Sequence, residues 1–323
     1  MNKNILITSA GRRVSLVKFF QKELSLIFPE AQVFTTDSNP DYAAAGIVSA
    51  ECFRVPKVTS SSYIEDLLSV AISNQIGLII PTIDTELLVL SQNMNLFTQH
   101  GITVVVSDFE LVNTFHFKRL SHNFFENQGI ETAKEFSKNN YTLPVYIKPI
   151  DGSRSIDNFI VHHHDDFTDK HFSNDRLMFL EYLDHSKHIE LTIDMYYSKE
   201  GHLKCAVPRE RIEVRDGEVN KAITKTPDFI GSIWKKMEYI DGFRGCVTMQ
   251  VFVQNDTQTI YAIEINPRFG GGFPLSYLAG ANYPKWIIEE YLIGNEIPVF
   301  HDWQKNMLML RYDHEVIVPN FSH

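Results

Sequence analysis

The chain has 323 residues, 44% of them hydrophobic and 22% charged, with a formal net charge of −10. That length supports two or three domains with their own cores, and the acidic balance excludes nucleic acid as the main partner, because a phosphate backbone demands a basic face. Three scattered cysteines, Cys52, Cys205 and Cys246, argue against a disulfide framework or a thiolate zinc site, and no stretch approaches the ~20 apolar residues of a membrane span. The first residues lack a secretory apolar segment, so the expectation is a cytoplasmic protein.

The first third alternates two periods. Residues 5–8 read as a strand, 13–27 as a helix with Val14, Val17, Phe20, Leu24 and Ile27 on one face, and 32–37 as a strand. Helix 63–74, strand 77–82, helix 86–99 and strand 102–107 follow. This βαβ alternation predicts a parallel sheet covered on both faces. Ligands of such sheets bind at the carboxyl ends of the strands, where Ser9-Ala10-Gly11-Arg12, Asp37-Ser38-Asn39 and Thr82-Ile83-Asp84-Thr85 fall. These clusters are either plain strand-to-helix turns or one wall of a substrate cleft. An NAD-dependent oxidoreductase, the third reading, requires a G-x-G-x-x-G turn, and only Gly11 is present.

Beyond residue 112 the pattern changes. A helix over 120–129 ends at Gly129, and strands then dominate: 144–150, 157–163, 176–183, 188–198, 202–214 and 218–226. Asp216-Gly217 marks a turn joining the last two as a hairpin, which predicts an antiparallel sheet. The fold class is therefore α/β followed by α+β, in three segments: 1–112, 113–187 and 188–323.

The chemistry concentrates in a few residues. Lys148 lies in an apolar strand, where an ammonium either finds an anion or snorkels outward. Lys118 opens a helix and faces the same two choices. Glu264 and Asn266 share one face of a strand, and Arg268 continues the spacing. Gln250 is the polar residue of the apolar run 247–253, the expected antiparallel neighbour. Gln250, Glu264 and Asn266 offer hard oxygen ligands suited to Mg²⁺, and Arg268 offers a bidentate hold on phosphate or carboxylate; a buried Glu–Arg pair capped by Asn is the alternative. Arg209 and Arg211 point one way from their strand and Glu210 the other. They are either substrate ligands, with Lys225, or part of a surface ion-pair ladder. The run His162-His163-His164-Asp165-Asp166 reads as a solvated loop, because neighbouring strand residues face opposite sides.

Glu264-Ile265-Asn266-Pro267-Arg268, with Lys118 and Lys148, resembles the ATP-grasp superfamily. The similarity is closest to one module of the carbamoyl-phosphate synthetase large subunit, and more distant to biotin carboxylase and D-alanine–D-alanine ligase. It covers essentially the whole chain. It implies an ATP-grasp fold: a Rossmann-like pre-ATP-grasp domain (1–112), a small nucleotide-covering subdomain (113–187) and a C-terminal subdomain with the metal and substrate site (188–323). It implies an ADP-producing carbon–nitrogen ligase that uses ATP and Mg²⁺ (or Mn²⁺), joining a small-molecule carboxylate to an amine through an acylphosphate. Catalytic roles fall to Arg268, Lys148 and Asn266, and metal ligation to Gln250, Glu264 and Asn266. Lys118, Lys148, Ser153 and Arg154 would hold phosphates. Glu181, Tyr182 and Leu183 would hold adenine, Glu190 the ribose, and Arg209, Arg211 and Gly271 the substrate. A homodimer is left open by analogy. The sequence departs from the family in two places: the phosphate loop around Gly152 has a single glycine, and Phe117 stands where an acid usually precedes the first cation. A catalytically silent ATP-binding regulatory module is the alternative those departures raise.

Overall fold

The computed structural model describes residues 2–151, 157–215 and 217–321. Among them the strands form three sheets. The first orders Cys52–Arg54, Val33–Asp37, Asn4–Ile7, Ile76–Ile80 and Thr103–Val104, all parallel. Its central strands are buried along their length, as a sheet covered by helices on both faces must be. The second has four antiparallel strands, Glu135–Phe136, Leu177–Glu181, Val145–Pro149 and Phe159–Val161. The third orders Leu308–Leu310, Glu218–Thr224, Leu203–Arg215, His188–Tyr197, Gly245–Gln254, Ile260–Asn266 and Glu131–Thr132. It is antiparallel except for the last pair. The expected α/β-then-α+β arrangement is therefore present.

Several elements differ from expectation. The helix expected over 86–99 is two helices, Asp84–Gln92 and Met94–Gln99. Between them the Asn93 side chain donates back to the Val89 carbonyl at 2.8 Å, a local bond that competes with helix continuation. The strand Cys52–Arg54 and the helices Phe109–His116, Ile230–Met237 and Tyr283–Ile288 add to the sequence reading. Helix Phe109–His116 runs through the expected boundary at 112, and Glu131–Thr132, assigned by sequence to the small segment, pairs with the large sheet. No helix among the described residues is long and apolar enough to cross a membrane.

One shared core welds the first sheet to the third. Ile5, Ile7, Val17 and Phe20 pack with Tyr196, Phe273, Tyr283 and Ile287. Nearby, Arg209 and Asp194 are 1% and 0% exposed and meet through a two-point ion pair, at 2.7 Å (Nε to Oδ2) and 2.9 Å (Nη2 to Oδ1). Ser276 Oγ donates to the same carboxylate at 2.5 Å. Removing one member leaves an uncompensated buried charge, so Asp194→Ala is expected to destabilise the chain by about 3–5 kcal/mol. The pair Asp194→Leu/Arg209→Met should recover most of that loss, read from denaturant midpoints.

Candidate functional site

The third sheet presents two unlike faces. On one, Leu191, Ile193, Met249, Val251, Val253, Ala262 and Ile265 form a core. On the other, the cross-strand pairs are Thr248 with Asn266, Gln250 with Glu264, and Phe252 with Tyr261. A register shift between Gln250 and Val251 makes this possible. In regular alternation Ala262 and Glu264 share a face; the bulge keeps Ala262 in the core and turns Glu264 outward. Glu190 and Arg211 stand on the outward face as well, with Arg211 Nε 2.9 Å from Glu190 Oε1. The Gln250 amide donates to Glu190, and Asn266 Nδ2 donates to Glu264 Oε1 at 2.9 Å.

The four-stranded sheet lies over this face. In Val145–Pro149, Val145 and Ile147 enter their own core with Phe179, while Tyr146 turns the other way. Met178, Leu180, Leu183 and Ala133 pack with Tyr146, Ile150, Phe252, Tyr261 and Ile263 in an apolar cluster between the two sheets. Lys148, directly opposite Met178 and two residues on from Tyr146, stands at the end of that cluster. It is 5% exposed and forms no ion pair among the described residues. Burial, then the Lys118 ammonium, pushes its pKa down to about 8, against the pull of Glu264 and Glu135.

Lys118 is the first residue of the helix Lys118–Asn127, and its backbone N–H donates to the Ile150 carbonyl at 2.8 Å. A cation at a helix N-terminus opposes the helix dipole, and an anionic ligand there relieves the conflict. Burial lowers the Lys118 pKa while Glu264, Asp151 and Asp84 oppose the shift. One turn on, the buried His122 imidazole is pushed down to about 4 by burial and then by Lys148 and Lys118, so it stays neutral at pH 7. Lys118, Lys148 and Glu264, far apart in the chain, thus share one electrostatic environment.

Other expected residues are placed as follows. Strand Leu177–Glu181 ends before Tyr182 and Leu183. The Glu181 N–H is taken by the Lys134 carbonyl at 2.8 Å. Glu190 faces the same cleft, its pKa raised by burial and held back by Arg211. Arg268 does not continue the strand, which ends at Asn266; its N–H turns back to the Asn266 carbonyl at 2.8 Å. Its guanidinium meets Asp84 of the parallel-sheet domain at 3.0 Å (Nε to Oδ1) and 2.7 Å (Nη2 to Oδ2). The Glu–Arg pair that stood as the alternative reading is not formed; Arg268 pairs instead with Asp84, between domains. Arg209 is turned into the protein by Asp194 and does not line an open substrate floor, because a fully buried carboxylate holds a guanidinium more firmly than solvent does. Arg211 serves Glu190, while Glu210–Lys225 at 3.2 Å and Glu213–Lys221 at 2.5 Å form the ladder. Gly271 lies beside Glu218: a Cβ there would sit 3.3 Å from its carboxyl carbon. Ser153 and Arg154, like Gly152 and Asp216, lie outside the described residues. His162, His163 and His164 are exposed, and among the described residues no group of three or more His, Cys, Asp or Glu is set to hold a metal.

Sequence reasoning passed over Asp84 as a ligand of Arg268, although it stood in a quoted strand-end cluster, and over His122, whose neutral state depends on lysines brought up by folding.

The oxygen donors suit a divalent ion bound in part by phosphate. Glu264 and Asn266 supply one carboxylate and one carboxamide side by side, and Mg²⁺ commonly takes only one or two protein ligands beside phosphates and water. The buried ammonium of Lys148, without an ion pair among the described residues, fits phosphate in the same cleft.

Residues 5–105 match the model of the PylC-like N-terminal domain, and 173–314 match the model described as ATP-grasp in the biosynthetic pathway with Ter operon. No curated protein sequence matches. Among solved structures, Staphylococcus aureus N5-carboxyaminoimidazole synthetase complexed with ADP superposes with a TM-score of 0.70 at 15% identity, over 96% of this chain and 82% of its own. The biotin carboxylase domain of Hydrogenobacter thermophilus 2-oxoglutarate carboxylase, a dimer solved with MgADP, ADP and bicarbonate, gives 0.70 at 17% identity, over 95% and 73%. Rhizobium etli pyruvate carboxylase gives 0.70 at 14%, over 94% of this chain, which spans only 30% of that enzyme.

Proposed function

We propose that the chain is an ATP-grasp protein and works as an ATP- and Mg²⁺-dependent ligase that activates a small carboxylate and joins it to an amine. The observation that carries this reading is the convergence of Lys118, Lys148 and Glu264, separated in sequence, beside an apolar cluster between the two sheets. Adenine would lie against this cluster, with Tyr182 and Leu183 at its hinge end and Glu190 with Gln250 on the ribose side. Lys118 and Lys148 hold phosphate oxygens. Glu264 and Asn266 would hold the metal ion, which would supply neutralisation of phosphate charge.

A carboxylate oxygen then attacks the γ-phosphorus. The bond to the β–γ bridging oxygen breaks, ADP leaves, and the resulting acylphosphate loses phosphate when the amine attacks. Phosphoryl transfer asks the protein for alignment and charge neutralisation more than for covalent chemistry, and lysines, carboxylate and carboxamide supply these. Arg268, fixed by Asp84, lies at the carboxyl edge of the parallel sheet and joins the carboxylate side of the cleft to the metal strand.

The test is ADP and phosphate release across a panel of carboxylates and amines. Release is expected only with a carboxylate present, and should stop when EDTA removes the metal. Tight Mg-ATP binding with no phosphate release from any member of a broad panel would favour the silent regulatory module instead.

A further inference from the structure

The nucleotide reading leaves unused a set of guanidinium groups at the carboxyl edge of the parallel sheet. The loop after strand Asn4–Ile7 is held in a strained form. Ser9 and Gly11 both have φ of 47°, a region that serine seldom adopts. The strain is sustained by Glu86, 0% exposed, which accepts from Ser9 Oγ, from Thr8 Oγ1 at 2.8 Å and from Tyr63 OH at 2.7 Å. Thr82 Oγ1 donates to the carbonyls of Thr8 and Ser9, both at 2.9 Å. A loop fixed this firmly presents Arg12 and Arg13 in a set position.

Facing it, Glu218 stands 3.9 Å from Arg12 and 3.2 Å from Arg311, while Asp84 is taken up by Arg268. Arg215 and Asp313, at the rim, pair with each other at 2.7 Å. Arg13 donates to the Thr82 carbonyl at 3.4 Å and forms no ion pair among the described residues. It is half-buried in the field of Arg268, Arg311, Glu218 and Asp84. Burial, then Arg268, pushes its pKa down to about 10, so it remains a cation that would gain from another anion. Among the described residues, Arg12, Arg13, Arg268 and Arg311 thus face Asp84 and Glu218, with Asp313 at the rim already held by Arg215.

The geometry points to a second anion subsite: the substrate carries, beyond the carboxylate to be activated, a further carboxylate or phosphate that Arg13 holds with Arg12 and Arg311 beside it. The role of the ligand rests on the ligase reading; the existence of the subsite does not.

Calorimetric titration of succinate, and separately of inorganic phosphate, into the full chain saturated with Mg-ADP tests it. Saturable one-to-one binding of at least one anion is expected. Charge-assisted contacts of this kind put the loss in Arg13→Ala at about 10- to 100-fold. Arg12→Ala, whose side chain is 79% exposed and so dispensable for folding, should weaken it severalfold. Tighter succinate assigns a dicarboxylic substrate, and tighter phosphate a phosphorylated one. No saturable binding to the wild type would overturn the proposal. So would equal affinity in Arg13→Ala, or binding lost in Lys148→Ala and kept in Arg13→Ala, which places the anion in the nucleotide site. Failure of ADP itself to bind would sink the ligase reading alone, because the anion titration into the free chain still reports on Arg13.

Discussion

Replacing Lys148 with alanine is expected to weaken ATP binding by about 100-fold, since one charge-assisted hydrogen bond to phosphate contributes roughly 1.5–3 kcal/mol. Its pH dependence identifies the cause. Burial disfavours the charged form, so the free protein holds this ammonium with a pKa of about 8, below the ordinary lysine value. Phosphate oxygens favour the charged form and raise the pKa in the complex. Binding therefore takes up a proton above pH ~8, and wild-type affinity falls as pH rises through that value. Below it the ammonium is already present and this contribution is flat. Lys148→Ala should lose both the affinity and the slope, whereas Lys148→Arg, which stays charged, should bind with little slope. Calorimetric ADP titrations from pH 6.5 to 9.5 read both. A wild-type affinity that is level across this range would show that Lys148 does not meet the phosphates.

The second large effect is expected at Glu264. Glu264→Gln keeps the shape and can still accept from Asn266, but removes the single carboxylate of the oxygen pair. If that carboxylate anchors the metal, the loss of transition-state charge neutralisation is worth several kcal/mol, or about 1000-fold in Mg²⁺-dependent turnover. Thermal stability should change little. A second consequence distinguishes this from a local packing defect: Glu264 holds up the pKa values of both Lys118 and Lys148, so its removal should move the pH midpoint of ADP binding downward. Unchanged turnover with an unchanged midpoint would place the metal elsewhere.

Much of this cleft is legible from local pattern. Lysine inside the apolar run Val145–Pro149, and acid, amide and guanidinium on alternate residues near the end of an apolar strand, are costly placements that function explains better than stability does. Period-two and period-3.6 alternation also identified the parallel sheet, the antiparallel strands and the four longest helices, Val14–Ile27, Tyr63–Ser73, Asp84–Gln92 and Lys118–Asn127. The missing elements are short: Cys52–Arg54 has three residues, Tyr283–Ile288 six, and Phe109–His116 and Ile230–Met237 eight each, too few turns to establish a period.

The sequence by itself determined which residue types stand where charge is expensive, because burial periodicity is a local property. Tertiary structure alone decided their partners. The bulge at Gln250–Val251 turned Glu264 away from the core side that Ala262 keeps, and nothing in the run Ile260–Asn266 marks it. Arg268 found Asp84 instead of Glu264, and Arg209 found Asp194 instead of open cleft, since a guanidinium settles on the carboxylate that folding brings within reach in the least solvated setting. Among the described residues Arg13 was left without an ion pair for the same reason: packing of the first sheet against the third spent the nearby carboxylates on its neighbours.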